Sequence, residues 1–599
     1  MFDPQSLLAT TNPGFIVIIA GMIAYFARQK IIRGVVTIGG PLLGLLTLAL
    51  HQAQGQPLAT LDVMELTLVL YQVEKVSIVF GLAFLIAALA NSIYALHEKD
   101  PLQDAMALIY AGAAIAATFA GDLMTVFVFW ELTAISSVFL ILQSGTPEAY
   151  KASMRYLGVQ ILSGVLLLMG SAFIMGEFGT LEYSAFLSEG EGLSLSDDPG
   201  AIFLFFALGI KAAFPLLHNW LQDSYPKATH TGAVVLSAFT TKLAVYALWR
   251  FFPGEDSLIW IGAIMTVFPV FFAVIENDLR KVLAYSLNNQ VGFMVCAIGI
   301  GTPLALNGAA AHAFCHILYK GLLFMSMGAV MYRTGTTKAT ELGGLYRTMP
   351  FTAIFCLIGA ASISAFPLFS GFAAKSLTMS GVGHEYEHGV QYLWIIWMML
   401  LFASAGVLEH SGIKIPYFAF FGHDSGKRPK EAPFNMLLAM GIAAFFCVWL
   451  GFPGLGGIGF LYGLLPFQEE AQAYLAKDLW TVDHVLTQMQ LLVFAALAFI
   501  VLNRIKLYPP EKRGVVLDTD WLYRRPLYAS IVWLGAVWQR LGPGMTGSAL
   551  KVSRRVYNHI EATFSPQGQL SRGPLSAGMA VWTSIVLAVV MILALFAGP

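Results

Sequence analysis

Seven ionisable side chains fall inside long apolar stretches of this sequence, where a charge is costly. A charged residue near the centre of a bilayer costs about 2.5–3.5 kcal/mol on insertion scales, so each one retained there should have a partner or a function. The set is one carboxylate, four lysines and two histidines: Glu131, Lys211, Lys242, His312, His316, Lys320 and Lys375. Desolvation and nearby carboxylates tune how tightly a lysine holds its proton, and histidine titrates near neutral pH. These residue types together have the chemistry of a proton relay.

Three of these side chains share one helix face, since His312, His316 and Lys320 are spaced four residues apart. A lone lysine can extend its amine to the membrane interface, and a histidine pair at this spacing could bind a metal. The zinc-protease pattern H-E-x-x-H, however, needs a glutamate where this sequence has Ala313. The whole set, spread over several helices with few acids to neutralise it, favours the relay.

The four cysteines lie singly within apolar runs, at positions 296, 315, 356 and 447. Thiolate ligation of zinc or of an iron–sulfur cluster needs clustered cysteines, as in C-x-x-C. We therefore predict no metal site and no bound cofactor in this chain.

Two of the lysines lie beside residues that break helices. Lys211 is followed by Pro215, and Lys375 is preceded by Pro367 and Gly371. Proline removes a backbone donor and glycine adds conformational freedom, so both helices should be interrupted inside the membrane. Discontinuous helices at corresponding places in two halves are typical of inverted-repeat transporters, whose ion sites lie at the breaks.

The composition shows which solvent these elements face. The chain has 599 residues, of which 57% are apolar and 12% are charged, about half of the ~25% charged residues usual in soluble domains. Its mean hydropathy is +0.71. The net charge of −1 excludes a nucleic-acid partner. The sequence is that of an all-α polytopic membrane protein.

Apolar runs long enough to cross ~30 Å of hydrocarbon recur along the chain. They predict about sixteen crossings, at 14–27, 32–50, 75–97, 104–120, 123–143, 154–177, 200–217, 231–251, 257–275, 282–300, 304–331, 350–382, 391–412, 434–452, 488–503 and 578–597. The glycine-rich segment 454–467 is too short to span. The first run follows an acidic and polar start without a basic region, so we expect a retained helix and not a cleaved signal.

Charges in the loops predict the topology, because Lys and Arg are retained on the cytoplasmic side. Arg28, Lys30 and Arg33 follow the first run, which places the N-terminus outside. Alternate later loops are basic as this requires: Lys151 and Arg155; Lys227; Arg280 and Lys281; Arg333, Lys338 and Arg347; Lys427, Arg428 and Lys430. The intervening segment 177–198 has six acids and no Lys or Arg.

The C-terminal tail differs in character from the core. Residues 504–575 hold eleven Lys or Arg against four Asp or Glu, a net of +7. Within it, the apolar segment 527–541 with Trp533 and Trp538 could lie along the membrane interface or a neighbouring subunit. We expect the tail to clamp neighbouring subunits and to contribute no acid to the relay.

Six sequence blocks resemble, in order, those of the antiporter-like membrane subunits shared by respiratory complex I and the Mrp-type cation/proton antiporters. They are FWELTAISS, KAAFPLLHNWL, TKLAVYALWR, DLRKVLAYSLNNQVGF, HAFCHILYKGLLF and FPLFSGFAAKS. The resemblance covers roughly residues 75–430.

This resemblance implies about fourteen core helices with two inverted five-helix repeats. Glu131 would be the family's ion-pair glutamate and Lys211 its partner in the first broken helix; Lys242, His312, His316 and Lys320 would form the central relay, and Lys375 the terminal site in the second broken helix. The implied divisions are N-terminal helices 1–103, repeats 104–251 and 257–430, further core helices 431–503, and an extension 504–599 with an extra helix.

Within the family, the branch rests on a few positions. Lys375 stands where the M-type subunit of complex I has glutamate, and an A-type Mrp subunit would be much longer. The extra final span resembles the lateral-helix region of L-type subunits, whereas LDTDWLYRRP resembles the tail of D-type Mrp subunits. The resemblance favours the D type and leaves the L type open.

We therefore expect an ion transporter subunit, and not an enzyme, in a hetero-oligomeric Na⁺/H⁺ antiporter of the bacterial inner membrane, with lipids, protons and sodium or another monovalent cation as its further partners. The first alternative is a proton-pumping subunit of a redox-driven complex. A membrane transferase is the second, but the acidic segment 177–198 offers it no His, Lys or Arg.

Overall fold

A computed structural model describes residues 10–564 except 54, 64–65, 188–191, 197, 506, 508–513 and 515, with the backbone alone at 541–550, 552 and 563–564. Contacts divide the chain into two units, residues 1–518 and residues 519–599. The predicted final span 578–597 lies outside the described residues.

The first unit is almost entirely helical. Its first half comprises α1 (Pro13–Phe26), α2 (Lys30–Ala49), a hairpin of β1 (Pro57–Val63) and β2 (Leu66–Gln72), α3 (Lys75–Ala95), α4 (Pro101–Thr118), α5 (Leu123–Leu142), α6 (Pro147–Phe178), α7 (Tyr183–Phe186), α8 (Pro199–Ala212), α9 (Asn219–Ser224), α10 (Gly232–Ala238) and α11 (Thr240–Phe251). A 3₁₀ turn, Tyr225–Lys227, follows α9.

The second half follows with α12 (Asp256–Ile275), α13 (Leu279–Ile300), α14 (Pro303–Thr334), α15 (Pro350–Ile363), α16 (Ser370–Glu387), α17 (Leu393–Phe421), α18 (Phe434–Trp449), α19 (Gly457–Leu464), α20 (Gln468–Lys477) and α21 (Val482–Arg504). Two 3₁₀ turns, Ala339–Glu341 and Leu345–Arg347, lie between α14 and α15. Helix α17 contains two stretches of π-helix, Leu408–Ile413 and Tyr417–Phe421.

Ten helices in the described part of the chain are long and apolar enough to cross a membrane, counting α10 and α11 together, and α1, α8, α15 and α18 are shorter apolar helices. Polar caps mark where many of them begin: the side chains of Asp100, Asp122, Thr146, Asp278 and Thr302 accept hydrogen bonds from backbone N–H groups of the first turn. The predicted multi-pass helical fold is confirmed. The run 350–382 is two helices, α15 and α16, separated by the predicted break.

The β-hairpin was not predicted. Its strands pair antiparallel from Pro57 opposite Gln72 to Val63 opposite Leu66. Its two strands are seven residues each, so a search for runs long enough to span a membrane passes over them. The hairpin packs on the core through Val69, whose N–H donates to the Asp122 carboxylate at 2.7 Å.

An internal repeat relates two parts of the first unit. Helices α6 and α14 have 32 residues each, begin after a threonine cap (Thr146, Thr302) and end at a left-handed glycine (Gly179, Gly335). Two isolated β-bridges, Asp122 to Glu182 and Asp278 to Lys338, stand in the same relation. Each residue named in the first part lies 156 positions before its counterpart in the second part, as Thr146 does before Thr302 and Asp122 before Asp278.

Both broken helices share one backbone conformation. In the segments AFPL at 213–216 and AFPL at 365–368, the alanine and the leucine have positive φ: Ala213 63°, Leu216 70°, Ala365 56° and Leu368 80°. Non-glycine residues avoid this region, so two identical departures indicate a required geometry. The prolines and the left-handed residues together end α8 and α15.

The contacts between loops fall into two groups, one at each end of the helices. At one end Arg33 pairs with Asp104, Arg155 with Asp223, and the Arg333 guanidinium bonds the Glu431 carbonyl. At the other, Arg250 pairs with Glu74 and Asn307 bonds the Phe467 carbonyl. The predicted basic loops therefore group together, whereas their assignment to the cytoplasm stays a prediction.

The second unit is described by itself. A turn at Asp520–Leu522 leads through a π-helical segment, Tyr523–Leu527, into α22 (Tyr528–Phe564), a helix of 37 residues. Ile531, Trp533 and Trp538 are exposed along it. This helix contains the apolar segment that the sequence predicts to lie on an interface.

Candidate functional site

The first predicted pair brings Lys211, in the last turn of α8, against α5. The Lys211 amine donates to the Trp130 carbonyl at 2.7 Å and to the Thr133 hydroxyl at 2.9 Å, and it lies 4.2 Å from the centre of the Trp130 ring. Glu131 is on the same helical turn and interacts with the amine electrostatically. Among the ion pairs between described residues, none within 4.0 Å joins the two. The Lys211 amine therefore lies near Glu131 and is hydrogen-bonded to residues next to Glu131 on α5.

A glycine makes room for the Glu131 carboxylate. A Cβ atom placed on Gly164 of α6 would collide with the Oε1 atom of Glu131. That oxygen is buried and has no hydrogen-bond partner in the described structure. Nearby, the Trp130 indole donates to the Ser163 hydroxyl, which donates to the Ala207 carbonyl. Helices α5, α6 and α8 thus meet around this carboxylate.

Lys242 lies in α11, just after the interruption that separates α10 from α11. Helix α10 ends at Ala238, and the Lys242 amine donates at 2.7 Å to the carbonyl of Ser237. The side chain is fully buried. A carbonyl near the end of a short helix thus takes the place of an acidic partner for this lysine.

His312 is the hub of a polar network between α14 and α13. Its Nε2 atom is 2.9 Å from the Tyr319 hydroxyl and 3.2 Å from the Gln290 amide oxygen, and Tyr319 also donates to Gln290. Gln290 in turn donates to Asn289 at 2.6 Å. The next relay residue on the helix, His316, packs its ring against Tyr319.

His316 and Lys320 are fully buried, and neither ring nitrogen of His316 nor the Lys320 amine has a hydrogen-bond partner in the described structure. Electrostatic interactions join Lys320 to Lys242 and Lys375, and His316 to Lys242 and Lys320. Buried polar groups without protein partners are rare, and ordered water is their usual complement. This is the central part of the predicted relay.

Lys375 lies at the second break, as predicted. Its amine donates at 2.8 Å to the carbonyl of Ile363, the last residue of α15, and lies 5.2 Å from the Phe293 ring, which also packs against His312. A Cβ atom on Gly371 would collide with the Ser362 carbonyl. Gly371 therefore serves close packing of α16 on α15, and not the conformational freedom that we expected of it.

Two buried groups beside the relay were not predicted. His410 lies in the π-helical stretch of α17; its Nδ1 atom is 2.8 Å from the Ser411 hydroxyl, its Nε2 atom has no partner in the described structure, and it interacts electrostatically with Lys320 and Lys375. It was detectable, since it falls inside the predicted span 391–412.

Asp518, from the predicted tail, is also buried. Its carboxylate accepts a hydrogen bond from the Tyr285 hydroxyl at 2.9 Å and lies 3.2 Å from Nε2 of His218, the last residue of the first break. The burial of Asp518 was not predicted, whereas our expectation that the tail contributes no acid to the relay stays a prediction. Sequence reasoning missed it because a lone acid in a basic tail normally faces solvent.

Two other buried cations are structural. Arg280 donates to the carbonyls of Tyr225, Ala228 and Thr229, and Lys414 donates to the three carbonyls of Ala273, Val274 and Glu276 at the end of α12. A cation at freed carbonyls satisfies them and the helix dipole. Burial of a charge alone therefore does not identify a relay residue.

Comparisons with known proteins match the part of the chain that contains these residues. Residues 120–408 match the family model for the transmembrane region of NADH:quinone oxidoreductase and Mrp antiporter subunits. That range contains the seven predicted relay residues. Over this part of its length the chain is similar to these membrane subunits.

Individual relatives fall in several branches. The chain is 30% identical to hydrogenase-4 component B of Escherichia coli K12 over 356 residues, which cover 54% of this chain and 52% of that protein. It is 27% identical to the D-type subunit of the Na⁺/H⁺ antiporter of Bacillus subtilis 168 over 404 residues, 65% of this chain and 79% of the relative. The match thus spans about half of the first protein and most of the second.

A chain in the solved structure of the Mrp complex from Dietzia sp. DQ12-45-1b shares the fold. The TM-score is 0.66 at 22% identity, and the match covers 81% of this chain and 100% of that one. The fold is that of an antiporter-like membrane subunit.

Proposed function

We propose that this chain is the D-type, proton-translocating subunit of a multisubunit monovalent cation/proton antiporter. The observation that carries the proposal is a set of ionisable groups in and between the two broken helices. The half-buried Glu131 interacts with Lys211 at the first break. The buried Lys242, His316 and Lys320 interact with one another, and Lys320 also interacts with Lys375 at the second break. A set of this kind, enclosed by helices, suits proton movement along the subunit.

Three of the four lysine amines are held by neutral acceptors. The Lys211, Lys242 and Lys375 amines all rest on backbone carbonyls. Carbonyls accept hydrogen bonds from an amine without fixing its proton by a full countercharge, so loss of a proton leaves no acid stranded. Gain of a proton at Lys211 draws its amine towards Glu131, and loss releases it to Thr133.

The row of amines couples these steps. Lys320 interacts with Lys242 on one side and Lys375 on the other, and like charges repel most strongly in a medium of low dielectric constant. A proton arriving at one lysine therefore favours its departure from the next. Water bound at the unpartnered nitrogens of His316 and Lys320 would complete the path.

The D-type assignment rests on Lys375 at the terminal site and on similarity to the B. subtilis protein. In this proposal sodium or another monovalent cation is exchanged for protons, other membrane subunits complete the complex, and the N-terminus lies outside the inner membrane. The similarity to hydrogenase-4 component B favours the second candidate, a proton-pumping subunit of a redox-driven complex. Genes for small Mrp-type subunits beside this one would identify the antiporter, and genes for iron–sulfur subunits the redox complex.

The test compares two lysines in the assembled complex, reconstituted in vesicles with a pH-sensitive dye. Lys320→Ala removes the central amine and should abolish cation-driven proton movement, whereas Lys338→Ala, at an exposed side chain, should leave it unchanged. His316→Gln should only slow transport, because water can replace the ring. Normal transport by an assembled Lys320→Ala complex would overturn the proposal.

A further inference from the structure

Three ligand atoms converge at a place outside the relay. His97 and Glu98 lie in the connection between α3 and α4, and His230 lies between α9 and α10. The Nε2 atoms of the two histidines are 3.2 Å apart, His230 Nε2 is 2.8 Å from Glu98 Oε1, and His97 Nε2 is 3.6 Å from the same oxygen. All three pairs of atoms are thus in close reach of one another.

These separations fit a metal ion. With bonds of about 2.0–2.1 Å, the ligand atoms of a tetrahedral zinc site lie ~3.3 Å apart, which falls between the shortest and longest of the three distances. A proton shared between two of the ligand atoms explains only one of the three short distances. A cation bound to all three atoms explains all of them.

Surrounding residues hold the His97 and His230 rings in place. The rings are stacked, with planes 29° apart and centres 5.4 Å apart, and both pack against Tyr332. The His97 ring also bonds the backbone of Tyr94, and its Nδ1 atom lies 3.1 Å from the amide nitrogen of Asn435. These contacts hold the two rings with their Nε2 atoms close to each other.

The site is partly exposed, and of the two cations beside it Arg33 is paired with an acid. The side chains of His97, Glu98 and His230 are 12%, 21% and 18% exposed. Lys30 and Arg33 approach the backbone carbonyls of His97 and Glu98, and Asp104 neutralises Arg33 at 2.9 Å. Two histidines and one glutamate with an open side is a ligand set that zinc enzymes use.

We propose that His97, Glu98 and His230 form a binding site for a divalent transition metal ion, with zinc as the best fit and water at the fourth position. A bound ion would tie the α3–α4 connection to the start of α10, next to the helix that carries Lys242. The prediction of no metal from the cysteines and the His312–His316 pair did not consider these three residues, because His230 is 133 positions from His97 in the sequence.

The test measures binding of zinc chloride to the purified, chelator-treated complex by calorimetry. Wild type should bind one ion tightly, and His230→Gln and Glu98→Gln should each weaken binding by roughly 100-fold or more. His384 of α16 and His388, the residue that follows this helix, have ring centres 4.2 Å apart and provide the control. Their double replacement by glutamine should leave the tight site intact.

Two further measurements keep the site falsifiable if a variant is unstable. X-ray absorption of the wild-type complex should show two histidine nitrogens and one carboxylate oxygen on the zinc. Zinc should also raise the thermal transition of wild type but not of Glu98→Gln. Zinc binding of equal strength in His230→Gln, or no tight binding in wild type, would overturn the proposal; neither outcome bears on the relay.

Discussion

Within the proposed relay, the amines of three of the four buried lysines bond neutral groups. Lys211 bonds a carbonyl and a hydroxyl, and Lys242 and Lys375 bond carbonyls. A buried lysine beside a full carboxylate would form a strong fixed pair, and removal of either partner would then be costly. Among the described residues, Glu131 is the one acid that interacts with these lysines. In the proposed relay its position therefore controls how a proton reaches Lys211.

We predict that Gly164→Ala disables transport. The added Cβ atom must displace the Glu131 carboxylate from its place beside Lys211, so the transport rate should fall at least tenfold, of order 1.4 kcal/mol or more in barrier. The measurement is proton movement in vesicles that hold the variant complex.

The matched control is Gly158→Ala on the same helix, where a Cβ atom meets nothing within 4 Å. Alanine is the better helix former by about 0.5–1 kcal/mol, so both changes should support the helix itself. Equal activity in the two variants would show that the Glu131 carboxylate does not depend on this space.

The sequence could single out the seven residues of the proposed relay because a charge in an apolar run is conspicuous. It could not show that Lys211 bonds the neighbours of Glu131, since that depends on how α8 packs on α5. The burial of Asp518 could not be predicted for a related reason. Asp518 contacts His218 and Tyr285, which lie 300 and 233 positions before it in the sequence.

Among the helices and strands, the two breaks are the features that position the lysines. Proline predicted where they lie, but not that an alanine and a leucine on either side of a phenylalanine–proline pair take positive φ. Neither residue type favours that conformation, so sequence preference points the other way and the packing of the helices prevails. The hairpin was missed because its strands are short.

The left-handed leucine of the first break allows a clean test of strain, because Leu216 is 64% exposed. Valine is branched at Cβ and resists positive φ, so Leu216→Val should lower the thermal transition of the complex by an amount equivalent to about 1 kcal/mol. Leu216→Gly, which removes the Cβ atom, should melt at or above the wild-type temperature.

Ile202→Val on the exposed side of α8 is the control for a change in side-chain size, since residue 202 is helical. It should leave the thermal transition within experimental error of wild type. If Leu216→Val melts like wild type while Leu216→Gly melts lower, the left-handed conformation at this break is not what the protein adopts.

For the molecule as a whole, the boundary between the units divides the predicted tail. The sequence placed its start at residue 504, whereas contacts place Asp518 in the first unit and residues from 519 in the second. Composition alone could not locate this boundary, because the charge excess begins before the chain leaves the core.

Two truncations should therefore behave differently. A chain ending at residue 518 should lose affinity for neighbouring subunits, because the basic second unit is gone, but retain transport per assembled complex. A chain ending at residue 503 also loses the Asp518 carboxylate, which lies 3.2 Å from Nε2 of His218 at the end of the first break. Because this contact helps to hold the break that carries Lys211, its loss should slow transport. The readouts are subunit retention on purification and transport normalised to the complex recovered.

Point variants separate the carboxylate from the length of the chain. Asp518→Asn should reproduce the slower transport of the shorter truncation, whereas Asp520→Asn, whose carboxylate pairs with Arg524 in the second unit, should not. Full transport by the chain ending at 503 would contradict a role for Asp518. Loss of transport, with all subunits retained, in the chain ending at 518 would instead assign the second unit to the ion path.

The equal lengths of helices α6 and α14 allow their residues to be compared position by position. At the 156-residue offset, Gln160 of α6 corresponds to His316 of α14, and Gly164 corresponds to Lys320. At this second pair of positions, α14 carries the buried Lys320 amine, whereas α6 has a glycine and the space is filled by the Glu131 carboxylate of α5. The two matching helices therefore place opposite charges at equivalent positions, one from a side chain of its own and the other from a neighbouring helix.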